Sequence, residues 1–216
     1  YAHRGTIFRY PMTVERLNGF DGPVTIQIGD RQNRDLDGVE MIPVVIPAGQ
    51  SEGHLPIYLP ETMHINIQSQ SQLYSQAYAH FTDKHGRRQG VLVLAEKRNM
   101  LRTRPLVVKM SPIDTSVSGE PGAVVDCRLR LKRTTNFPGP VTVVLHNSDE
   151  VPGFSAKPMA LAAGATSTTV KIRLPAGAAA ARPATLTFRA TGKMPDGTVT
   201  ITESHVRYLP PEAAQK

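Results

Sequence analysis

The 216-residue chain has one cysteine, no tryptophan and few aromatic side chains. The lone Cys127 excludes an intrachain disulfide and an all-cysteine metal site. It leaves the compartment open, because many extracellular bacterial modules use no disulfides. No apolar run reaches 18 residues, so no helix is expected to cross a membrane. The seven histidines, His3, His54, His64, His80, His85, His146 and His205, are scattered. They form no His-x-x-x-His pair and no Cys/His cluster of metal spacing, and they read as satisfied or surface side chains. There is no Gly-x-Ser-x-Gly elbow and no phosphate-binding glycine loop. These absences point away from an enzyme. The start, YAHRGTIFRY, is neither a signal peptide nor an initiating-methionine context, which predicts a processed or excised piece of a longer protein.

What is present is an internal repeat. Phe20, Gly22, Pro23, Val24 and Thr25 recur as Phe137, Gly139, Pro140, Val141 and Thr142, an offset of 117. PVVIPAGQ from Pro43 returns as PMALAAGA from Pro158, and Leu55-x-Ile57-x-Leu59-Pro60 returns as Val170-x-Ile172-x-Leu174-Pro175, both at an offset of 115. The copies differ by two residues in one loop. A repeat this long is a domain, not a solenoid unit. Two domains are expected, 1–104 and 105–216, each able to bury a modest core.

The 17 glycines and 18 prolines are spread through the chain. They punctuate short strands and argue against long helices. Phe8, Tyr10, Met12 and Val14 alternate with polar residues, as do Val125, Cys127, Leu129 and Leu131, so one face of each strand is buried. Cys127 reads as a small buried hydrophobe. Second strands follow at Val24, Ile26 and Ile28 and at Val141, Val143 and Leu145. The recurring phenylalanine is expected to plug the core end, and Gly-Pro to set the turn. Further strands are expected at 54–59 and about 64–68, against 168–174 and about 184–190, and closing strands at 74–82 and 90–95, against 186–191 and 198–208. Residues 83–88 and 193–197 read as hairpin tips, the latter through Asp196-Gly197. The alanine-rich run 176–184 reads as a loop or one helical turn.

This pattern predicts an all-β chain of two tandem immunoglobulin-like β-sandwiches. The second copy has an extra strand at Pro105–Met110, continuing to Ser118. The first copy begins only seven residues before Phe8, so its first strand is missing or supplied from elsewhere. The open edge that results could pair with another domain of the same polypeptide or with a neighbouring chain.

Net charge is +7. Residues 1–108 carry 12 basic and 10 acidic side chains, against 13 and 8 in residues 109–216. On outward strand positions Arg128, Arg130, Lys132, Lys171 and Arg173 are expected to share one sheet face. That face could meet an acidic surface or polymer, or be compensated by Asp114 and Asp126. No aromatics interleave with it, so no specific nucleic acid is expected. Asp30, Asp35 and Asp37 in the charged loop 29–40 have oxygens that could hold calcium, and a plain solvated loop is the alternative. No other cofactor is expected.

The segments VERLNGFDGPVTIQI and VVIPAGQSEGHLPIYLP resemble a repeated domain of large cell-surface and secreted proteins of planctomycetes and related bacteria. The resemblance covers about three quarters of the chain. The second copy keeps NFPGPVT and the Pro158-to-Gly164 spacing. The first copy departs from the pattern in its longer charged loop. The resemblance implies a non-catalytic sandwich outside the cytoplasm, serving as a structural, adhesive or assembly unit. The alternatives are a calcium- or glycan-dependent binding module and an accessory region of a secreted hydrolase.

Overall fold

Period-two alternation is what places the strands. In the computed structural model, Phe8, Tyr10, Met12 and Val14 turn toward a core while Arg9, Pro11, Thr13 and Glu15 are exposed. In the second half Cys127, Leu129 and Leu131 are buried and Asp126, Arg128, Arg130 and Lys132 are exposed. The described residues are 1–28, 38–63, 72–73, 75–95, 99–100, 103–133 and 137–211. The strand expected near 64–68 and the side chain of Ile28 lie outside them. The protein is all-β with several sheets, and its alanine-rich run holds a 3-10 turn, Gly177–Ala181. The chain divides into two compact units, Tyr1–Pro105 and Leu106–Lys216.

In the first unit, β1 (Ala2–His3) leads into β2 (Thr6–Thr13), followed by β3 (Val24–Ile28), β4 (Glu40–Met41), β5 (Val44–Ile46) and β6 (Glu52–Leu59). Then come β7 (Gln72–Leu73), β8 (Ser75–Thr82), β9 (Arg88–Leu94), β10 (Asn99–Met100) and β11 (Thr103–Arg104). Strands β2, β6 and β4 lie side by side, as do β5, β3, β8 and β9. Two short pairs complete the unit, β1 with β11 and β7 with β10. Val24, Ile26, Ile46, Leu55, Ile57 and Leu59 from the two main sheets meet in one core.

The second unit has β12 (Val108–Pro112), β13 (Ser116–Val117), β14 (Val124–Arg133), β15 (Val141–Leu145) and β16 (Ser155–Ala156). It continues with β17 (Met159–Leu161), β18 (Ser167–Arg173), β19 (Ala184–Lys193) and β20 (Val199–Tyr208). One sheet runs β12-β14-β18-β16; in the other β17, β15, β19 and β20 are neighbours and β13 pairs with β20. Its core joins Leu129, Leu131 and Ile172 to Val143, Leu186, Phe188 and Tyr208.

The repeat extends to register. Val24 pairs with Ile46 as Val141 pairs with Leu161, and Ile26 with Ala77 as Val143 with Ala190. Met41 pairs with Ile57 as Ala156 pairs with Ile172. Even the closing turns match. Asp83 N–H donates to the Arg87 carbonyl and Met194 N–H to the Thr198 carbonyl, with Gly86 and Gly197 at φ of 74° and 83°. That left-handed backbone is why glycine stands at both tips. The parallel pair of β1 with β11 corresponds to that of β13 with β20. Strand β12 breaks the correspondence: among the described residues the first unit has no equivalent of it.

Candidate functional site

The basic face of the second unit rests on β14 and β18, which pair antiparallel with Asp126 opposite Lys171 and Val124 opposite Arg173. Arg128, Arg130, Lys132, Lys171 and Arg173 are all exposed. Two of the five are neutralised within the unit. Arg128 forks onto Asp114, with its Nη2 2.7 Å from Oδ1, and its backbone N–H also donates to that carboxylate at 2.8 Å. These bonds hold the Asp114 carboxyl below the ordinary carboxylate range and raise the guanidinium. Lys171 Nζ lies 3.1 Å from Asp126 Oδ1. Arg130, Lys132 and Arg173 make no ion pair among the described residues, and Lys132 stands opposite Lys109 of β12. The expected five-charge cluster is thus three charges beside two compensated pairs.

Asp30, Asp35 and Asp37 lie outside the described residues. Among the described residues, no group of three or more His, Cys, Asp or Glu side chains converges as a metal site would require. Among the described histidines, the side chains of His3, His54, His80 and His205 have hydrogen-bond partners. His80 Nε2 is 2.8 Å from the Tyr78 hydroxyl, His3 Nδ1 2.7 Å from the Pro105 carbonyl, and His205 Nδ1 3.1 Å from Thr187 Oγ1. Cys127 is fully buried, and burial foremost, with the Asp114 charge second, pushes its thiol up to about 11. It is protonated at neutral pH and poorly nucleophilic. A shallow depression in the second unit has Val151, Pro152, Phe154 and Ala184 in its lining, with Glu150 and Arg182 exposed beside them.

Two features escaped the reading of the sequence. The first is an arginine in each copy. Arg133 donates to the carbonyls of Phe137, Gly139 and Ala165 at 3.2, 2.9 and 3.3 Å, with its guanidinium 5.6 Å from the Phe137 ring centre. Arg16 likewise donates to the carbonyls of Gly22, Pro47 and Gln50 and lies 5.8 Å from the Phe20 ring centre. The glycines are required by the same packing. A Cβ on Gly22 or Gly139 would come within 2.9 or 2.6 Å of the adjacent phenylalanine ring. Repeated residues here hold a loop together. The signal was available as Arg-x3-Phe-x-Gly-Pro, present twice.

The second feature is β9. Among the described residues it ends its sheet, with an open outer edge. Val91 and Val93 sit opposite Ala79 and Ala77 on the inner face, and Leu92 and Leu94 opposite Tyr78 and Gln76 on the outer face. All four apolar side chains are exposed, Val91 by 41% and Val93 by 54%. Through the shared register their counterparts are Thr200 and Thr202 of β20, which are 2% and 1% exposed. An unbroken apolar strand suits a position covered on both faces. The run VLVL was the sequence signal.

Comparison with known proteins gives little. No family model matches the chain, and no curated protein matches it. Among solved structures, the chain is similar to domains 4 and 5 of the S-layer protein SbsC at 13% identity and a TM-score of 0.29, covering 89% of this chain and 74% of that one. Against domains 1–6 of SbsC the identity is 14% and the TM-score 0.30, covering 91% of this chain and 22% of that one. Scores of this size carry no argument about fold or function. The planctomycete resemblance therefore rests on the sequence motifs alone.

Proposed function

We propose that the chain is a pair of immunoglobulin-like β-sandwiches forming a non-catalytic structural, adhesive or assembly module of a larger extracytoplasmic bacterial protein. The observation that carries this reading is the repetition of strand pairing, register for register, in two units whose repeated residues are core and loop-forming side chains. A repeated module serves functions that tolerate repetition, such as spacing and adhesion. Catalysis needs one convergent site. The neighbour order β12-β14-β18-β16 facing β17-β15-β19-β20-β13 supports the immunoglobulin-like assignment. The resemblance of GFDGPVT and PAGQ to planctomycete surface-protein repeats supports the extracytoplasmic setting. The test is labelling of intact, unpermeabilised source cells with antibodies to this chain. Surface labelling is expected; labelling only after permeabilisation of the inner membrane would overturn the reading.

A second reading attaches to the face of Arg130, Lys132 and Arg173, which fits an acidic polymer or surface. Retention on immobilised polyglutamate, lost on raising salt and weakened by replacing the three residues with glutamine, is expected. Equal retention of that variant would remove this reading. For Asp30, Asp35 and Asp37, a thermal shift on adding calcium would support the metal-binding alternative, and no shift would count against it.

A further inference from the structure

The shared register lets the outer faces of the two units be compared position by position. Thr13 pairs with Glu52 as Arg130 pairs with Ser167, and Arg9 with Pro56 as Asp126 with Lys171. Glu40 pairs with Tyr58 as Ser155 pairs with Arg173. On the outer face of β2, β6 and β4, Glu15, Glu40 and Glu52 are exposed and make no ion pair among the described residues. On the outer face of β12, β14, β18 and β16, the charges without an ion pair include Arg130, Lys132 and Arg173. At two equivalent positions the sign is exchanged outright: Arg9 stands where Asp126 does, and Glu15 where Lys132 does.

The exchange does not follow from composition. Residues 1–108 carry 12 basic and 10 acidic side chains, yet acids prevail on this face. Nor does it follow from a change of framework. Leu55 and Ile57 are buried under one face, and Val170 and Ile172 under the other. Each face opposes its own kind, since like charges set against one another repel. Only the unlike faces attract. The charge pattern also chooses a direction. With the strands of the two faces parallel, the end with Glu15 and Glu52 lies over the end with Arg130 and Lys132, and Arg9 lies toward Asp126. With the strands opposed, Arg9 would fall over Arg130 and Lys132, and Glu15 toward Asp126.

We infer that the β2-β6-β4 face of one copy docks on the β12-β14-β18-β16 face of a second copy, strands parallel, with Glu15 and Glu52 against Arg130 and Lys132. This rests on the reading of the protein as an assembly module, and it names the acidic surface that the basic face meets. The contact is heterologous, so repeating it yields a ring, of which a dimer is the smallest, or an open chain of copies. Complementary charge of this kind gives specificity and encounter rate more than affinity. A single contact is therefore weak. It gains strength where several modules are tethered in one polypeptide.

The test is analytical sedimentation of the full chain at millimolar concentration. At an ionic strength of about 0.01 M, where the Debye length is about 30 Å, the average mass is expected to exceed the monomer's by at least about 1.5-fold. At about 1 M, where that length is about 3 Å, the chain is expected to be a monomer. The net charge of +7 works against this outcome, since by itself it keeps copies apart at low salt. Glu15→Lys/Glu52→Lys and Arg130→Glu/Lys132→Glu are each expected to give monomers at low salt, with both thermal transitions in place. Combining the four substitutions restores complementarity at unchanged net charge, and association is expected to return. If the fourfold variant fails to fold, an equimolar mixture of the two reversed chains is read in its place, and its mass is expected to rise again. A wild-type chain that stays monomeric at low salt overturns the inference. So does association that survives either reversal, or that neither the fourfold variant nor the mixture regains. Retention on polyglutamate and surface labelling of cells are read independently. A chain retained on polyglutamate yet monomeric at low salt loses this inference and keeps the basic-face reading.

Discussion

The two units use one pairing scheme and differ in how far it is completed. In the second, Leu129 and Leu131 of β14 are fully buried, with β12 paired beside them in the same sheet. In the first, the corresponding Met12 and Val14 pack on the core but stay partly exposed. The difference teaches that period-two alternation sets which side chains face inward, whereas burial depends on what stands opposite. One strand of a few residues separates a closed core from one with an apolar flank.

The largest way to break this comparison is a pair of truncations. Leu129→Ala is expected to lower the stability of the second unit by about 2–5 kcal/mol, as for a fully buried leucine. Met12→Ala should lower the first unit by less than half as much, because part of that side chain is already solvated. Calorimetry or denaturant unfolding of the full chain resolves both. Equal losses would show that the two cores are equally closed.

Alkaline pH sharpens the contrast next. The folded Cys127 thiol ionises near 11, above an ordinary thiol near 9. Between these values the unfolded chain releases the proton and the folded one keeps it, so unfolding becomes easier as pH rises. The second unit should lose about 2–3 kcal/mol by pH 11 through this group. Cys127→Ala should remove that part of the slope and leave the first unit's alkaline behaviour unchanged, as seen in denaturant midpoints across pH 8–11.

The arginine in each copy should behave alike in both units. Arg16→Met and Arg133→Met each leave loop carbonyls without their donor, at an expected cost of about 1–3 kcal/mol to the unit concerned. Lysine should restore little, since one ammonium cannot reach carbonyls spread around a planar fork. A loss confined to one unit would show that the shared motif is not a shared support.

The smallest effect belongs to the exposed Asp114–Arg128 pair. The Asp114 pKa is lowered in the folded state, so its contribution is present at neutral pH and lost as pH falls through that lowered value. Asp114→Asn should give a slight drop in the second unit's midpoint at pH 7, and wild type and variant should converge in acid, below the ordinary carboxylate pKa.

Most of the fold was legible because it rests on local periodicity. Arg128 outward and Cys127 inward follow from alternation, and the Asp83–Arg87 and Met194–Thr198 turns follow from their glycines. The two-residue β1 before Phe8 was not legible, because it is too short to show alternation. Nor was the exposure of Val91 and Val93, because it depends on what packs on that face and not on the local pattern. The basic residues are exposed as alternation implies, and Asp114 and Asp126 do compensate two of them as expected; which base each acid meets was not legible, because Asp114 reaches Arg128 only after the chain folds back from β12. The calcium reading of Asp30, Asp35 and Asp37 falls on residues outside those described, and it stays a proposal.

Cys127 has a practical consequence. It is the sole thiol of the chain and it is sealed inside the second unit. A thiol reagent added to the native protein therefore reacts only when that unit opens. The labelling rate is a clock for opening of the second unit, with the first unit silent. Events that loosen or tighten only the first unit leave this clock unchanged, so one unmodified residue separates the dynamics of the two halves.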